Sequence, residues 1–427
     1  MMSEDYFYWH YKILKFFLII PPKRWILKVP FWIISVPHLV LICLSAFLET
    51  TQLCLGGSGE FSSDILNLGI SVLHFMGVNR VASWHFVRKD IDAVVEGVRK
   101  INLNFSDFDC PNEGSARTGI QSNSNPIDEY RAQKLHQTKR FCLTMISIFL
   151  SYVVLNISTS YILNHREPTY QKWNPRLNRS STYRDYAYPL WYPFDTSVSD
   201  GFYWLGFLYQ PYAFYFLMSC FLCVDCLCVN IIIHLTSHVD ILRFAFTMID
   251  KNVHPSLNFA EIMQLKERRL VKCIKELQTI YRCAKTLNDI ISLQLLFQMF
   301  CMALVICCSV YRVTSVTLGP EVVFLSSMAM ICILETFNVT WFNHSFTCQV
   351  FELLQCVYKL DWINYPPKLR KMLVFLIMRL QKPFYFTMGF WLPLDLDVFL
   401  TTIKTSYSFY TLITQSGTQL TTTGRED

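Results

Sequence analysis

Four stretches of this chain, 29–48, 141–163, 201–224 and 290–311, run without a single Asp, Glu, Lys or Arg. Each matches the roughly 20 apolar residues that a helix needs to cross the hydrocarbon core of a bilayer. No other feature limits the fold so strongly, because a segment surrounded by lipid must satisfy its own backbone and is therefore helical. Three further stretches carry an ionisable residue: 64–84 holds Arg80, 322–342 holds Glu335 and 398–414 holds Lys404. A chain of 427 residues that is 52% hydrophobic and 16% charged also sits apart from ordinary soluble domains. The expected fold is all-α and integral to the membrane, with seven transmembrane helices.

The cations assign the two sides. Lys12, Lys15, Lys23, Arg24 and Lys28 precede the first span, and the turn 50–63 that follows it has no Lys or Arg. Basic clusters return after the second span (Arg88, Lys89, Arg99, Lys100), the fourth (Arg243, Lys266, Arg268, Arg269) and the sixth (Lys368, Arg370, Lys371), while the tail beyond the seventh has only Arg425. Positive charge marks cytoplasmic loops, so the N-terminus is expected in the cytoplasm and the C-terminus outside. The loop 164–200 dissents with Arg166, Lys172, Arg176, Arg179 and Arg184, but long loops obey the charge bias weakly. It also carries the sequon Asn178-Arg179-Ser180, usable for glycosylation only on the outer side. The first 28 residues are aromatic and basic and lack the core of a secretory signal, so they are expected to be retained.

The resulting organisation is a cytoplasmic segment 1–28, helices one to four over 29–240 with the extracellular loop 164–200, and a cytoplasmic helical linker 241–289. Helices five and six follow over 290–343, then a cytoplasmic helix and turn 344–394, helix seven over 395–415 and an extracellular tail 416–427. The cytoplasmic parts are amphipathic. Ile262, Leu265, Leu270, Ile274, Leu277 and Tyr281 recur at helical spacing, as do Leu369, Leu373, Leu376, Ile377 and Leu380. These faces either lie on the membrane surface or pack with neighbouring subunits into an assembly domain.

Enzyme signatures are absent: there is no zinc-helix, phosphate-loop or nucleophile-elbow motif. The 16 cysteines lie mostly in apolar spans, which fits small buried residues better than a disulfide framework, and Cys223, Cys226 and Cys228 lack a second pair to hold zinc. No cofactor and no metal are expected. Asp395 and Asp397 suit the opening turn of the last helix.

Three features together resemble the insect odorant receptors: the N-in seven-span pattern, the outer-loop run Tyr-Pro-Leu-Trp-Tyr-Pro-Phe-Asp at 188–195, and the C-terminal stretch from Leu369-Arg370-Lys371 through Gln381-Lys382-Pro383 to Lys404-Thr405-Ser406-Tyr407-Ser408-Phe409. The resemblance is to a ligand-tuning subunit rather than to the shared co-receptor. It implies a ligand-gated, non-selective cation channel: a hetero-tetramer with that co-receptor in the plasma membrane of olfactory sensory neurons, its central pore lined by the seventh helix. A volatile odorant or pheromone would be held within each subunit, with membrane lipid as the only other partner and no nucleic acid. The related gustatory receptors end in Thr-Tyr, five residues, then Gln-Phe, and this chain relaxes that pattern to Ser408-Phe409, five residues, Gln415-Ser416. The same motif puts Leu412 at an apolar gate and Gln415 near the outer mouth of the pore, although ordinary helix or lipid contact also accounts for Leu412. A gustatory channel of the same superfamily and a secondary transporter are the alternatives.

Candidate ligand contacts lie in the outer halves of spans two to six: Ser71, His74 and Phe75; Tyr152 and Asn156; Tyr209, Tyr212 and Phe216; Met302 and Val305. Their three-, four- and seven-residue spacings keep each set on one helix face. The rings offer dispersion, and His74, Tyr152 or Asn156 offers one hydrogen bond to an ester, aldehyde or alcohol. Helix packing explains the same residues equally well. Asp225, Glu335 and Lys404 are expected to face protein or water.

Overall fold

The computed structural model describes residues 7–22, 24–55, 61–101, 170–174, 179–184, 190–251, 257–316 and 320–423, with scattered positions between 130 and 155 and at 186 and 188. In chain order the helices are α1 (Tyr8–Phe16), α2 (Lys28–Cys54), α3 (Phe61–Lys100), α4 (Asp200–Thr247), α5 (Phe259–Ser315), α6 (Pro320–Tyr358), α7 (Pro367–Leu380) and α8 (Leu396–Thr423). The described positions from 130 to 155 are also helical. Two single-turn 3-10 helices, Trp25–Leu27 and Trp362–Asn364, and two antiparallel hairpins, β1 (Tyr170–Asn174) with β2 (Arg179–Tyr183) and β3 (Thr387–Met388) with β4 (Leu392–Pro393), complete the inventory of described residues. Among the described residues, five helices, α2 to α6, are long and apolar enough to cross a membrane.

The longest helices exceed what a bilayer requires. α4 has 48 residues and α5 has 57, about 70 and 85 Å at 1.5 Å per residue, against a hydrocarbon core of roughly 30 Å. Both project far beyond the apolar layer at their charged ends. The amphipathic stretch from 259 and the span 290–311 are one unbroken rod. Its start is fixed by a capping box: the Asn258 side chain accepts from the Glu261 N–H at 2.9 Å, and the Glu261 carboxylate accepts from the Asn258 N–H at 3.0 Å.

Helix α3 runs through the middle of the bundle, and two glycines let its neighbours close on it. A Cβ at Gly69 would lie 2.9 Å from the Cys308 Cβ of α5, and one at Gly77 would lie 2.5 Å from the Leu217 Cγ of α4. Small residues at such crossings replace a hydrophobic drive that lipid cannot supply. Deeper in the same seam Arg80, 4% exposed, pairs with Asp225 of α4 and donates to Gln294 and Gln298 of α5. Gln298 in turn donates to Asp225 at 2.6 Å. One guanidinium thereby ties three helices together.

The charged ends are cross-linked by polar contacts. Lys134 lies 3.0 Å from Asp240, Arg243 lies 2.6 Å from the same carboxylate, and Arg243 also reaches Glu352 of α6. Asp250 accepts from Lys266 at 2.7 Å and from the Tyr365 hydroxyl. Helix α7 then buries Leu369, Leu373, Leu376 and Leu380, while Phe375 and Met378 stay exposed. The turn from α7 into α8 is the β3–β4 hairpin, whose Gly389 adopts φ +63° and donates its N–H to the Ser292 carbonyl of α5 at 2.8 Å.

Removing one member of the Arg80–Asp225 pair strands a buried charge, at a cost of about 3–5 kcal/mol. Arg80→Met and Asp225→Leu are each expected to reduce the folded fraction sharply on size-exclusion chromatography, with partial recovery in the double variant; singles as well folded as the parent would refute the assignment. Burial alone raises the Asp250 carboxyl, but hydrogen bonds from Lys266 and Tyr365 outweigh it and hold the group below its ordinary 3.8. A depressed carboxyl contributes stability that is complete above about pH 4 and lost as pH falls through its folded value. Asp250→Asn is therefore expected to lower the melting temperature at neutral pH, with the gap from the parent closing in acid.

Candidate functional site

Helix α2 is inverted relative to the helices of soluble proteins. Ser35, His38, Ile42, Ser45 and Glu49 recur at three- and four-residue steps and are all buried, while Ile33, Ile34, Val40 and Phe47 on the other faces are exposed. A helix in lipid gains nothing by hiding its apolar side chains, so it turns its few polar ones inward. Each finds a neighbour: Ser35 donates to the Leu18 carbonyl at 2.8 Å, His38 Nδ1 meets the Tyr212 hydroxyl of α4, and Glu49 Oε1 lies 3.0 Å from His74 Nδ1 of α3.

The Glu49–His74 pair is wholly buried, both side chains being 0% exposed. His74 Nδ1 is also 3.1 Å from the Ile70 carbonyl one turn back, and two acceptors at that distance assign the proton to Nδ1. The Glu49 carboxyl faces that nitrogen through Oε1. Asn67 and Ser71 occupy the same face of α3 as His74, seven and three residues before it. The Phe214 ring lies 5.4 Å and the Tyr188 ring 6.2 Å from the imidazole. Tyr188 belongs to the 188–195 run, which folds across the start of α4. Gln210 donates to the Tyr188 carbonyl at 2.9 Å, and the Tyr192 hydroxyl donates to the Gly206 carbonyl at 2.9 Å. Gly206 permits this, since a Cβ there would meet the Tyr186 hydroxyl and the Tyr192 ring at 2.9 Å.

The residues singled out from sequence divide among three places. Ser71 and His74 join the Glu49 cluster. Tyr212 and Phe216 pack with His38 in the adjoining α2–α4 seam, Phe216 lying 4.8 Å from the His38 ring and 5.0 Å from that of Tyr212, and the Tyr209 hydroxyl donates to the Leu41 carbonyl at 2.8 Å. Met302 and Val305 are buried in the bundle core on α5. The structure does not bring Phe75 to the group: it is 62% exposed, because one residue past His74 is a turn of about 100°. Tyr152 is buried, and Asn156 and Asn178 lie outside the described residues.

Asp225 is committed to Arg80, and Glu335 lines a small cleft with Asp225, Asn338 and His10. Lys404 is exposed on α8, on the same outward side as Leu412 and Gln415. Cys223 and Cys228 are buried, and among the described residues no group of three or more His, Cys, Asp or Glu side chains is placed to hold a metal. Glu49, Asn67, His38 and Tyr188 were missed by the sequence reading. A signal for Glu49 lies in the three-, seven- and four-residue steps that put Ser35, His38, Ser45 and Glu49 on one face of α2.

Residues 117–407 match the family model described as 7tm Odorant receptor. Odorant receptor 42a of Drosophila melanogaster is 28% identical over 206 residues, 47% of this chain and 49% of the relative, so the matched stretch spans about half of that receptor. Odorant receptor 67c of the same species is 22% identical over 285 residues, 67% of each chain. The solved structure of the insect olfactory receptor OR5 from Machilis hrabei in complex with eugenol superposes with a TM-score of 0.75 at 15% identity, covering 96% of this chain and 100% of that one. The same receptor in its other structure gives 0.72. The architecture is that of an insect olfactory receptor, and these relatives are receptors rather than enzymes. With the family model matched over well more than half its length, this chain belongs to the 7tm odorant receptor family.

Proposed function

We propose that this protein is a ligand-tuning odorant receptor subunit. It holds a small, largely apolar volatile molecule in the half of the bundle nearest the 188–195 loop and, assembled with the shared co-receptor as a hetero-tetramer, opens a non-selective cation pore lined by α8. The chain crosses the plasma membrane of an olfactory neuron seven times. Its N-terminus is cytoplasmic, the charged ends of α4 to α7 form a cytoplasmic assembly region, and the Asn178 sequon is displayed outside.

One observation carries the pore. Helix α8 buries Val398, Thr402 and Ser406 against α5 and α6, and exposes Leu400, Lys404, Ser408, Leu412 and Gln415. An exposed lysine within an apolar layer costs roughly 2.5–3.5 kcal/mol if it faces lipid, so a face of this kind suits water or other copies of the helix around an axis. Leu412, 62% exposed, is then the side chain suited to narrow a pore and exclude water. Family membership and the olfactory-receptor architecture support the same reading, as does the eugenol bound by the Machilis receptor.

Whole-cell recording after co-expression with the co-receptor, with G-protein signalling blocked, tests it. A rapid cation current evoked by a volatile panel and requiring both chains is expected; surface-expressed protein that stays silent to the whole panel would count against the channel. Leu412→Ala is expected to raise the ligand-independent current, and an unchanged baseline would remove Leu412 from the gate. Tyr212→Ala should weaken the ligand response by about tenfold or more at equal surface expression, equivalent to losing about 1.4 kcal/mol.

A further inference from the structure

Partners are lacking for most of the polar atoms around the Glu49–His74 pair. Both carboxyl oxygens of Glu49, both amide atoms of Asn67, Ser71 Oγ and His74 Nε2 are buried and make no hydrogen bond, and Glu49, Asn67 and His74 are each 0% exposed. Orphaned groups at this density are rare in a folded interior, where nearly all buried polar atoms are satisfied. The rings of Tyr188 and Phe214 pack against His74, which shares its face of α3 with Asn67 and Ser71 and meets Glu49 of α2.

The balance of donors and acceptors specifies what would complete the cluster. His74 Nδ1 donates to the Ile70 carbonyl and lies 3.0 Å from Glu49 Oε1, and in its ionised form Glu49 offers only acceptors, neither of which takes a hydrogen bond. Asn67 and Ser71 can each both donate and accept. A ketone, ester or ether only accepts; it could satisfy Ser71 or the Asn67 amide N–H but would leave the carboxylate oxygen buried and unmet. A head group that donates answers the most costly orphan first, since an unpaired buried charge is penalised more than an unpaired dipole. Sites built to hydrogen-bond a donor discriminate strongly against analogues that lack it, whereas an apolar pocket separates neighbouring homologues only weakly.

We infer that Glu49, with Asn67, Ser71 and His74, selects ligands carrying a hydrogen-bond-donating head, a hydroxyl or an ammonium, on an apolar body seated against Tyr188 and Phe214. This rests on the reading of the chain as an odorant receptor and adds the chemical class that it detects.

The test is thermal unfolding of the purified full chain in lipid nanodiscs, titrated with matched sets built on common linear, branched and aromatic skeletons: the alcohol, the amine, the methyl ether and the hydrocarbon. At least one alcohol or amine is expected to raise the midpoint saturably, with its ether needing about tenfold more for the same shift. Glu49→Gln should erase that gap, and Glu49→Asp should preserve it. An alcohol-only preference identifies the hydroxyl; an amine preference that fades as pH rises past the amine's own pKa identifies the ammonium. Equal shifts by alcohol and ether, no shift by any donor-bearing member, or a gap that survives Glu49→Gln would each overturn the inference. Donor-selective binding without current in co-expressing cells would sink the channel reading alone, and currents indifferent to donors would sink this one alone.

Discussion

The hydrocarbon core of a bilayer accepts no hydrogen bond, so every polar group carried into it must find its partner inside the protein. That requirement selects helices for the spans, and it also decides which face of each helix turns inward. In α2 the buried face is the polar one, from Ser35 to Glu49. On α3 and α4 it brings Arg80 against Asp225, and glutamines from α5 complete the contact. The glycines at 69 and 77 serve the same end, since without a hydrophobic drive between helices, close approach has to supply the attraction.

The proposed site follows from incomplete compliance with this rule. The Arg80 network is nearly closed: its charges are paired and two glutamine side chains fill much of the remaining geometry. The Glu49–His74 cluster, borne by α2 and α3, is left unsatisfied, with a carboxyl, an amide and a hydroxyl that make no hydrogen bond and the Tyr188 ring packed against His74. Both clusters share α3, His74 lying six residues before Arg80. One rigid rod thus carries a closed polar contact that holds the bundle and an open one suited to a guest.

Beyond the apolar layer the physics changes back to that of water. The long charged ends of α4 and α5 are joined to α6 and α7 by carboxylates that gather several donors, Asp240 and Asp250 being the centres. Leucines at helical spacing along α7 bury one face as in any soluble helix pair. The β3–β4 hairpin, fastened to α5 through Gly389 and Asn288, then sets the direction in which α8 departs.

Much of this fold was legible in the sequence, for a simple reason: a span is a local property. Length and absence of charge marked 29–48, 201–224 and 290–311, and helices α2, α4 and α5 cover them; amphipathic spacing from Phe259 onward showed the helix that the structure extends to Ser315. Which side chains meet was another matter. Sequence placed Ser71, His74 and Phe75 together because three and four residues share a helix face, yet Phe75 lies at the edge of that face and points away. Glu49 was passed over because a carboxylate at the end of an apolar run is ordinary at a membrane surface, and only the packing of α3 against α2 shows it sealed beside His74. Sequence determined that the chain is helical, apolar and threaded through a membrane, since each of those depends on neighbours along the chain. The tertiary structure alone decided which polar residues are satisfied and which are left waiting, because that depends on the rotation and approach of helices whose sequences lie far apart.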